Sequence, residues 1–226
     1  MLPYSLDQIR NLALSVGLDD CAVVQAERLD DDAIFMDQWV DSGMAGNMDY
    51  LLRNREKRYD IRQLVPGAQL VIVGLLTYEH SGHDYHRAVK SKLYELERLL
   101  FPSLAENIQP EAVPSTQHIF CDSAPVLERS WAVKAGLGWI GLNHQFFHPI
   151  LGSFVHPGEL VLCDTIADYQ SPIKMQSLCG SCRKCIEACP NHALGQPVWD
   201  ARKCVAYVTH KCIVCQEVCP FNHHVN

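Results

Sequence analysis

Cys179-Gly-Ser-Cys182-Arg-Lys-Cys185-Ile-Glu-Ala-Cys189-Pro190 has the spacing C-x2-C-x2-C-x3-C-P found in bacterial ferredoxins. A second run repeats that ending. Cys204 is followed after seven residues by Cys212-Ile-Val-Cys215-Gln-Glu-Val-Cys219-Pro220, so Cys204 stands in remotely for the missing close cysteine. Three cysteines two residues apart wrap a loop around one four-iron cubane, and the next begins a helix that carries its thiolate to the other cluster. The spacing therefore predicts crossed ligation. Cys179, Cys182, Cys185 and Cys219 hold one [4Fe-4S] cluster; Cys189, Cys204, Cys212 and Cys215 hold the second. A pair of zinc sites is the competing reading, since C-x2-C also suits zinc. A zinc knuckle needs neither the third close cysteine nor both Cys-Pro endings.

Eight of the eleven cysteines fall in this stretch, which leaves Cys21, Cys121 and Cys163 elsewhere. A disulfide framework would be spread through a short secreted chain, so the crowding points to metal in a reducing compartment. Cys21 and Cys163 read as small buried residues. Met1 to Gly17 carries Asp7 and Arg10 and no long apolar core, and does not read as a signal peptide. The longest apolar run, Leu70-Val-Ile-Val-Gly-Leu-Leu76, is far short of the ~20 residues that cross a bilayer. The expectation is a cytoplasmic protein without a membrane partner. Residues 1–170 hold 13 basic and 23 acidic side chains, whereas residues 171–226 hold 6 and 3. The basic excess of the tail suits negatively charged clusters. No basic patch announces nucleic acid.

Ser5 is expected to cap a helix over Leu6 to Val16 that Gly17 ends. A helical stretch is expected over Met36 to Leu52, interrupted at Gly43 to Gly46. Leu70 to Leu76 reads as a buried strand. Val89, Leu93, Leu96 and Leu100 place a helix over His86 to Leu100. Further expectations are a strand at Ile119 to Cys121 and a helix from Ser123 to Gly136 with Pro125 in its first turn. Strands are also expected over Phe146 to Val155 and Leu160 to Cys163, around a turn at Gly152-Ser153. Residues 1–170 thus form an α/β or α+β domain, with a boundary at Ser171-Pro172. The tail, 171–226, is too short for an ordinary core and depends on metal.

A plain ferredoxin needs only the tail, so a second site is expected in the first 170 residues. Gly136-Leu-Gly138-Trp-Ile-Gly141 has the glycines of a dinucleotide loop but follows a helix, the wrong setting. Several stretches resemble the epoxyqueuosine reductase family. They are Cys121-Asp-Ser-Ala-Pro-Val-Leu-Glu-Arg129, Lys134-Ala-Gly-Leu-Gly-Trp-Ile-Gly141, Gly152-Ser153, Gly158-Glu-Leu160 and Asp200-Ala-Arg-Lys-Cys204. Upstream, Gly46-Asn-Met-Asp-Tyr-Leu51, Leu64-Val-Pro-Gly-Ala68 and Asp84-Tyr-His86 are similar too. The resemblance implies an α+β fold: a nitroreductase-like cobalamin-binding core over 1–170 and a bacterial ferredoxin-like two-cluster domain over 171–226. It implies reduction of epoxyqueuosine in tRNA to queuosine, with two [4Fe-4S] clusters feeding cobalamin. Its partners would be tRNA and an electron-donor protein. It also implies that Asp122 is the proton donor. Cys121, Ser123, Gly136, Gly138, Trp139, Ile140, Gly141, Asn143, Gly152 and Ser153 would then border the cofactor.

Each of these residues has a plainer reading. Trp139 suits a core aromatic, Gly138 and Gly141 suit turns, and Cys121 suits a buried structural thiol. Asp122 at a helix N-terminus would have a lowered pKa, which opposes an acid role. Glu128 and Arg129 read as a solvated helix pair. His144, His148 and His156 could ligate a metal or cobalt, but their spacing fits no zinc motif and the plainer reading is a surface role. The chain also departs from the family pattern. Leu142 stands where lysine is common, at a position expected near cofactor or substrate. Only His210 and Lys211 separate Thr209 from Cys212, where a longer insertion is common. The sequence stops at Asn226, where longer members continue into a helical-repeat domain that helps hold tRNA, so a short form is expected. An electron-transfer protein docking a partner without cobalamin, or a cobalamin reductase with another small substrate, remains open.

Overall fold

The computed structural model describes residues 1–102, 118–167, 169–195, 198–209 and 211–222. In chain order its elements begin with α1 (Leu6–Ser15), β1 (Asp20–Gln25), α2 (Asp30–Asp41), α3 (Arg55–Tyr59) and β2 (Leu70–Thr77). Next come α4 (Tyr78–Ser81), α5 (Tyr85–Leu100), β3 (Ile119–Phe120), α6 (Glu128–Lys134), β4 (Trp139–Ile140), β5 (Phe146–Phe147) and β6 (Val155–Leu162). The tail carries α7 (Lys184–Glu187), α8 (Val205–Thr209) and α9 (Val214–Glu217).

Strand β2 sits inside an antiparallel sheet of order β1-β2-β6-β3. Side chains alternate along a strand, so Leu70, Ile72 and Leu76 enter one apolar layer while Val71, Val73 and Leu75 enter the other. Helices α1 and α5 cover the first face through Ile9, Val89, Leu93 and Leu96, and α6 covers the second through Trp131 and Ala132. Ser5 closes the start of α1 with a capping box: its Oγ accepts from the Gln8 N–H at 3.2 Å, and its own N–H donates to Gln8 Oε1 at 2.8 Å. Helix α5 lies close because Gly74 and Gly158 stand opposite each other in the β2–β6 register. A Cβ on Gly158 would meet Val89 Cγ1 at 2.5 Å, and one on Gly74 would meet Leu18 Cδ1 at 2.8 Å.

Several boundaries differ from expectation. Helix α6 begins at Glu128, not near Ser123, because a proline biases its predecessor, here Ala124, away from helical geometry. It stops as expected, with Gly136 at φ +73°. Helix α2 starts earlier, at Asp30, where Asp30, Asp31 and Asp32 complement the exposed N–H groups of its first turn. Strand β1 was not anticipated. Strand β6 runs unbroken from Val155 to Leu162, through Pro157 and Gly158, where the sequence reading left a gap between two strands. Pro157 is tolerated because β3 pairs only with Leu160 and Glu159, so β6 has a single partner strand at that point.

The tail docks beside α2. Trp39 stacks on Trp199 with ring centroids 5.4 Å apart and donates its indole N–H to the Trp199 carbonyl. Among the described residues no helix is long and apolar enough to cross a membrane.

Candidate functional site

A cleft of about 830 Å³ opens between α2, the single turn Asp49–Leu51 and the loop leading into α6. Phe35, Met36 and Trp39 line one side, Val126 and Ile140 another, and Trp199 reaches in from the tail; Arg53, Asn54, Arg58 and Arg129 supply polar groups. Phe35 and His144 present parallel rings to each other at 6.4 Å. The volume lies toward the upper end for small-molecule sites.

Asp122 sits in this cleft, exposed, with φ +49°. The left-handed region costs a non-glycine residue about 1–2 kcal/mol, so neighbouring contacts must hold it. The Asp122 N–H donates to Glu128 Oε1 at 2.9 Å, and the Tyr85 hydroxyl donates to Asp122 Oδ2 at 2.7 Å. Lys90 Nζ donates to Ser123 Oγ at 2.6 Å. Helices α5 and α6 thus clamp the loop from two sides. The helix N-terminus proposed for Asp122 is absent, because α6 starts six residues later.

Behind Asp122 lies a smaller polar chamber of about 160 Å³, bordered by Tyr78, Tyr85, Gln145, Ser153 and His156. Asp122, Glu128 and Arg129 line both spaces and form their shared wall. His156 is sandwiched between Tyr85 at 3.9 Å and Tyr78 at 4.2 Å. Burial lowers its pKa to about 4, so the ring is neutral at pH 7. The Tyr85 phenol is raised by burial and then by its bond to Asp122, so it stays a donor. Glu128 is pushed up to about 7, by burial first and by the Asp122 charge next. Glu159, on β6, is fully buried, and neither of its oxygens has a partner among the described residues. Burial holds it well above the usual carboxylate range, with Glu128 and Asp122 adding to the effect.

A third hollow, of about 90 Å³, is bordered by Cys179, Cys182, Cys185 and Cys219 together with Leu142, Asn143 and Phe147. The remaining thiols gather around Cys215, whose pKa is raised to about 11 by burial and by the neighbouring Cys204, Cys185, Cys212 and Cys189. Among the described residues no three His, Cys, Asp or Glu side chains converge on one metal ion.

The expected site residues fall into three places. Asp122, Ser123 and Ile140 line the cleft. The docking seam takes others: Asn143 Nδ2 donates to the Cys215 carbonyl at 3.2 Å, Gln216 Nε2 donates to Ser153 Oγ at 3.0 Å, and the Ser153 N–H donates to Asn222 Oδ1 at 2.7 Å. A Cβ on Gly152 would meet that Asn222 oxygen at 2.4 Å. The rest are packing residues. Trp139 is buried against Phe147 and Phe221, the Cβ positions of Gly138 and Gly141 are filled by Phe147, and Gly136 packs beneath Pro172 and Ile173. Cys121 is 1% exposed in the layer under α1 and α5. Within the segment expected to line the cofactor, Ile140 and His144 face the cleft, and Leu142 and Asn143 the cysteine hollow.

Other expectations change as well. Glu128 is half-buried, not solvated, and Arg129 Nη1 donates to the His144 carbonyl at 2.8 Å. His148 is 5% exposed. Its Nδ1 accepts from the Leu151 N–H at 3.0 Å, which leaves Nε2–H to face Asp20 Oδ2 at 3.0 Å. Burial of Asp20 opposes its ionisation, but His148 and Arg10 outweigh that and hold its carboxyl well below the usual range. Cys163 is exposed, whereas Cys21 is buried. His210 lies outside the described residues. Sequence reasoning gave no role to Phe35, Tyr50, Tyr85 or Lys90. Tyr50 and Tyr85 do lie within the family-like stretches 46–51 and 84–86.

Residues 178–213 match the family described as a 4Fe-4S double cluster binding domain. An epoxyqueuosine reductase of Leadbetterella byssophila is 34% identical over 256 residues, covering 98% of this chain and 81% of that protein. The solved epoxyqueuosine reductase from Streptococcus thermophilus superposes with a TM-score of 0.79 at 23% identity, covering 95% of this chain and 65% of its own. A solved epoxyqueuosine reductase with an epoxyqueuosine-modified tyrosine tRNA stem loop gives a TM-score of 0.78 at 21% identity, covering 97% and 66%. The chain therefore spans slightly under two thirds of these solved chains, which share its fold.

Proposed function

The chain belongs to the epoxyqueuosine reductase family, and from that premise we propose that it reduces the epoxide of epoxyqueuosine in tRNA to queuosine, using cobalamin and two [4Fe-4S] clusters. The observation that carries this reading is Asp122, held by Tyr85 and Glu128 in the wall of an 830 Å³ cleft. A partition at 140–144 separates that cleft from the cysteine hollow. Residues 1–170 serve as the nitroreductase-like cobalamin-binding core and 171–226 as the ferredoxin-like domain. The crossed cysteine sets are the cluster ligands. An electron-donor protein meets the tail, and the setting is the cytoplasm, where tRNA lies.

The cleft suits a large flat ring with a polar rim. Phe35, Trp39, Ile140 and Trp199 would hold its faces, and Arg53, Asn54, Arg58 and Arg129 its polar edge. When bound, cobalamin supplies a cobalt centre able to pass electrons to the substrate. Tyr85 occupies Asp122 Oδ2, which leaves Oδ1 to present a proton to an opening epoxide. The reading without cobalamin drew on Leu142. That residue borders the cysteine hollow and so does not argue against a ring in the cleft.

The test is anaerobic reconstitution with iron, sulfide and cobalamin, followed by assay on epoxyqueuosine in tRNA and in an anticodon stem loop. Asp122→Asn is expected to keep both cofactors and slow turnover by about 10²–10⁴-fold. A protein that holds two clusters but never retains cobalamin would instead be an electron-transfer protein.

A further inference from the structure

We propose that Glu128 feeds protons to Asp122 from the inner chamber, which makes the wall between chamber and cleft a proton inlet. This rests on the function proposed above. Converting the epoxide to an alkene breaks both C–O bonds, forms the C=C bond and releases the oxygen as water. The balance consumes two electrons, supplied through the clusters by the donor the activity already needs, and two protons. One aspartate carries one proton. It must be reloaded within each turnover, while cofactor and substrate occupy the cleft.

The chamber shares Asp122, Glu128 and Arg129 with that occupied space. Its 160 Å³ has room for several waters at about 30 Å³ each. Tyr78, Tyr85, Gln145 and Ser153 offer those waters polar partners. Glu128 borders both spaces and accepts the Asp122 N–H at 2.9 Å. The titratable and charged groups around it come from every packed element. Asp122 lies on its loop, Arg129 follows it in α6, Cys121 follows β3, Tyr78 comes from α4, Tyr85 and Lys90 from α5, and His156 and Glu159 from β6. Several are unsuited to exchange near neutrality: burial leaves His156 neutral, Cys121 is raised by burial and by Glu159, and Tyr85 is raised by burial and by its bond to Asp122. Glu128, with its pKa pushed up to about 7 by burial, both gives and takes protons at that pH. Glu159 behind it has no water-facing surface.

Glu128→Gln keeps the oxygen that accepts the Asp122 N–H and removes the transferable proton. In the reconstituted holoenzyme it is expected to lower kcat about 100-fold, leave KM and cofactor content unchanged, and abolish the pH–rate limb near 7. Added formate, a small diffusible acid, should restore part of the rate. In the substrate-free holoenzyme, the infrared band of a protonated carboxyl that titrates near pH 7 should vanish. A wild-type pH profile together with an unchanged carboxyl band would overturn the proposal. Should Glu128→Gln not fold, Glu128→Asp decides it: a displaced pH limb supports the inlet and an unmoved one overturns it. If the wild type does not act on epoxyqueuosine, the functional reading fails, and the infrared titration still reports on Glu128.

Discussion

Across residues 1–167 the described chain buries Ile72, Leu93, Leu96, Trp131 and Leu160 to 1% exposure or less, whereas across 169–222 the buried apolar side chains are Ala193, Leu194, Ala201 and Cys219. Helices differ in the same way: α5 has 16 residues, and α7 and α9 have 4 each. Helices that short do not hold themselves together in water. The sheet region is ordered by apolar burial. The tail has little of that and depends on what its cysteines bind, plus a seam of hydrogen bonds to Asn143 and Ser153.

The largest expected effect separates the two regions outright. Stripping iron with an anaerobic chelator should open the tail to protease within 171–222, while a fragment ending near residue 167 survives with its far-ultraviolet signal intact. A single cooperative collapse would break the comparison. Next in size, Leu93→Ala should cost about 2–5 kcal/mol in denaturant unfolding, since Leu93 packs against the Gly74 and Gly158 positions. Iron per protein should stay constant; a proportional loss of iron would mean that the tail leans on the sheet core. The smallest effect concerns Glu159, whose pKa is raised in the folded protein. The native state then binds more protons than the unfolded chain. Stability is intact below the unfolded value, about 4.3, and declines as pH climbs toward the folded value. Glu159→Gln should therefore match the wild type near pH 4 and melt progressively higher than it toward pH 8. A constant difference across that range would reveal a partner for the carboxylate.

The same contrast explains what could be read from sequence. Cysteine spacing reports ligand geometry directly, and the apolar positions of β2 and α5 report burial directly. Both depend on local pattern. Gly138, Gly141 and Gly152 report only that something comes close. Phe147 and Asn222 approach them, brought there by the β4–β5 hairpin and by the tail, and nothing in the local pattern names those neighbours. Glu128 failed for a related reason. On a helix it looks solvated, and only the fold of the loop before it places the Asp122 N–H on its oxygen. Pro157 is accommodated inside β6 because β3 is short, a property of another strand.

The proposed crossed division of the cysteines has a consequence for the order of synthesis. In that division neither run alone completes a set of four, since Cys189 serves with the later run and Cys219 with the earlier. As the chain leaves the ribosome, the set of Cys189, Cys204, Cys212 and Cys215 is complete four residues before Cys219 appears. The cysteines that emerge first, Cys179, Cys182 and Cys185, would then be the last to gain their fourth partner, once the tail has been made.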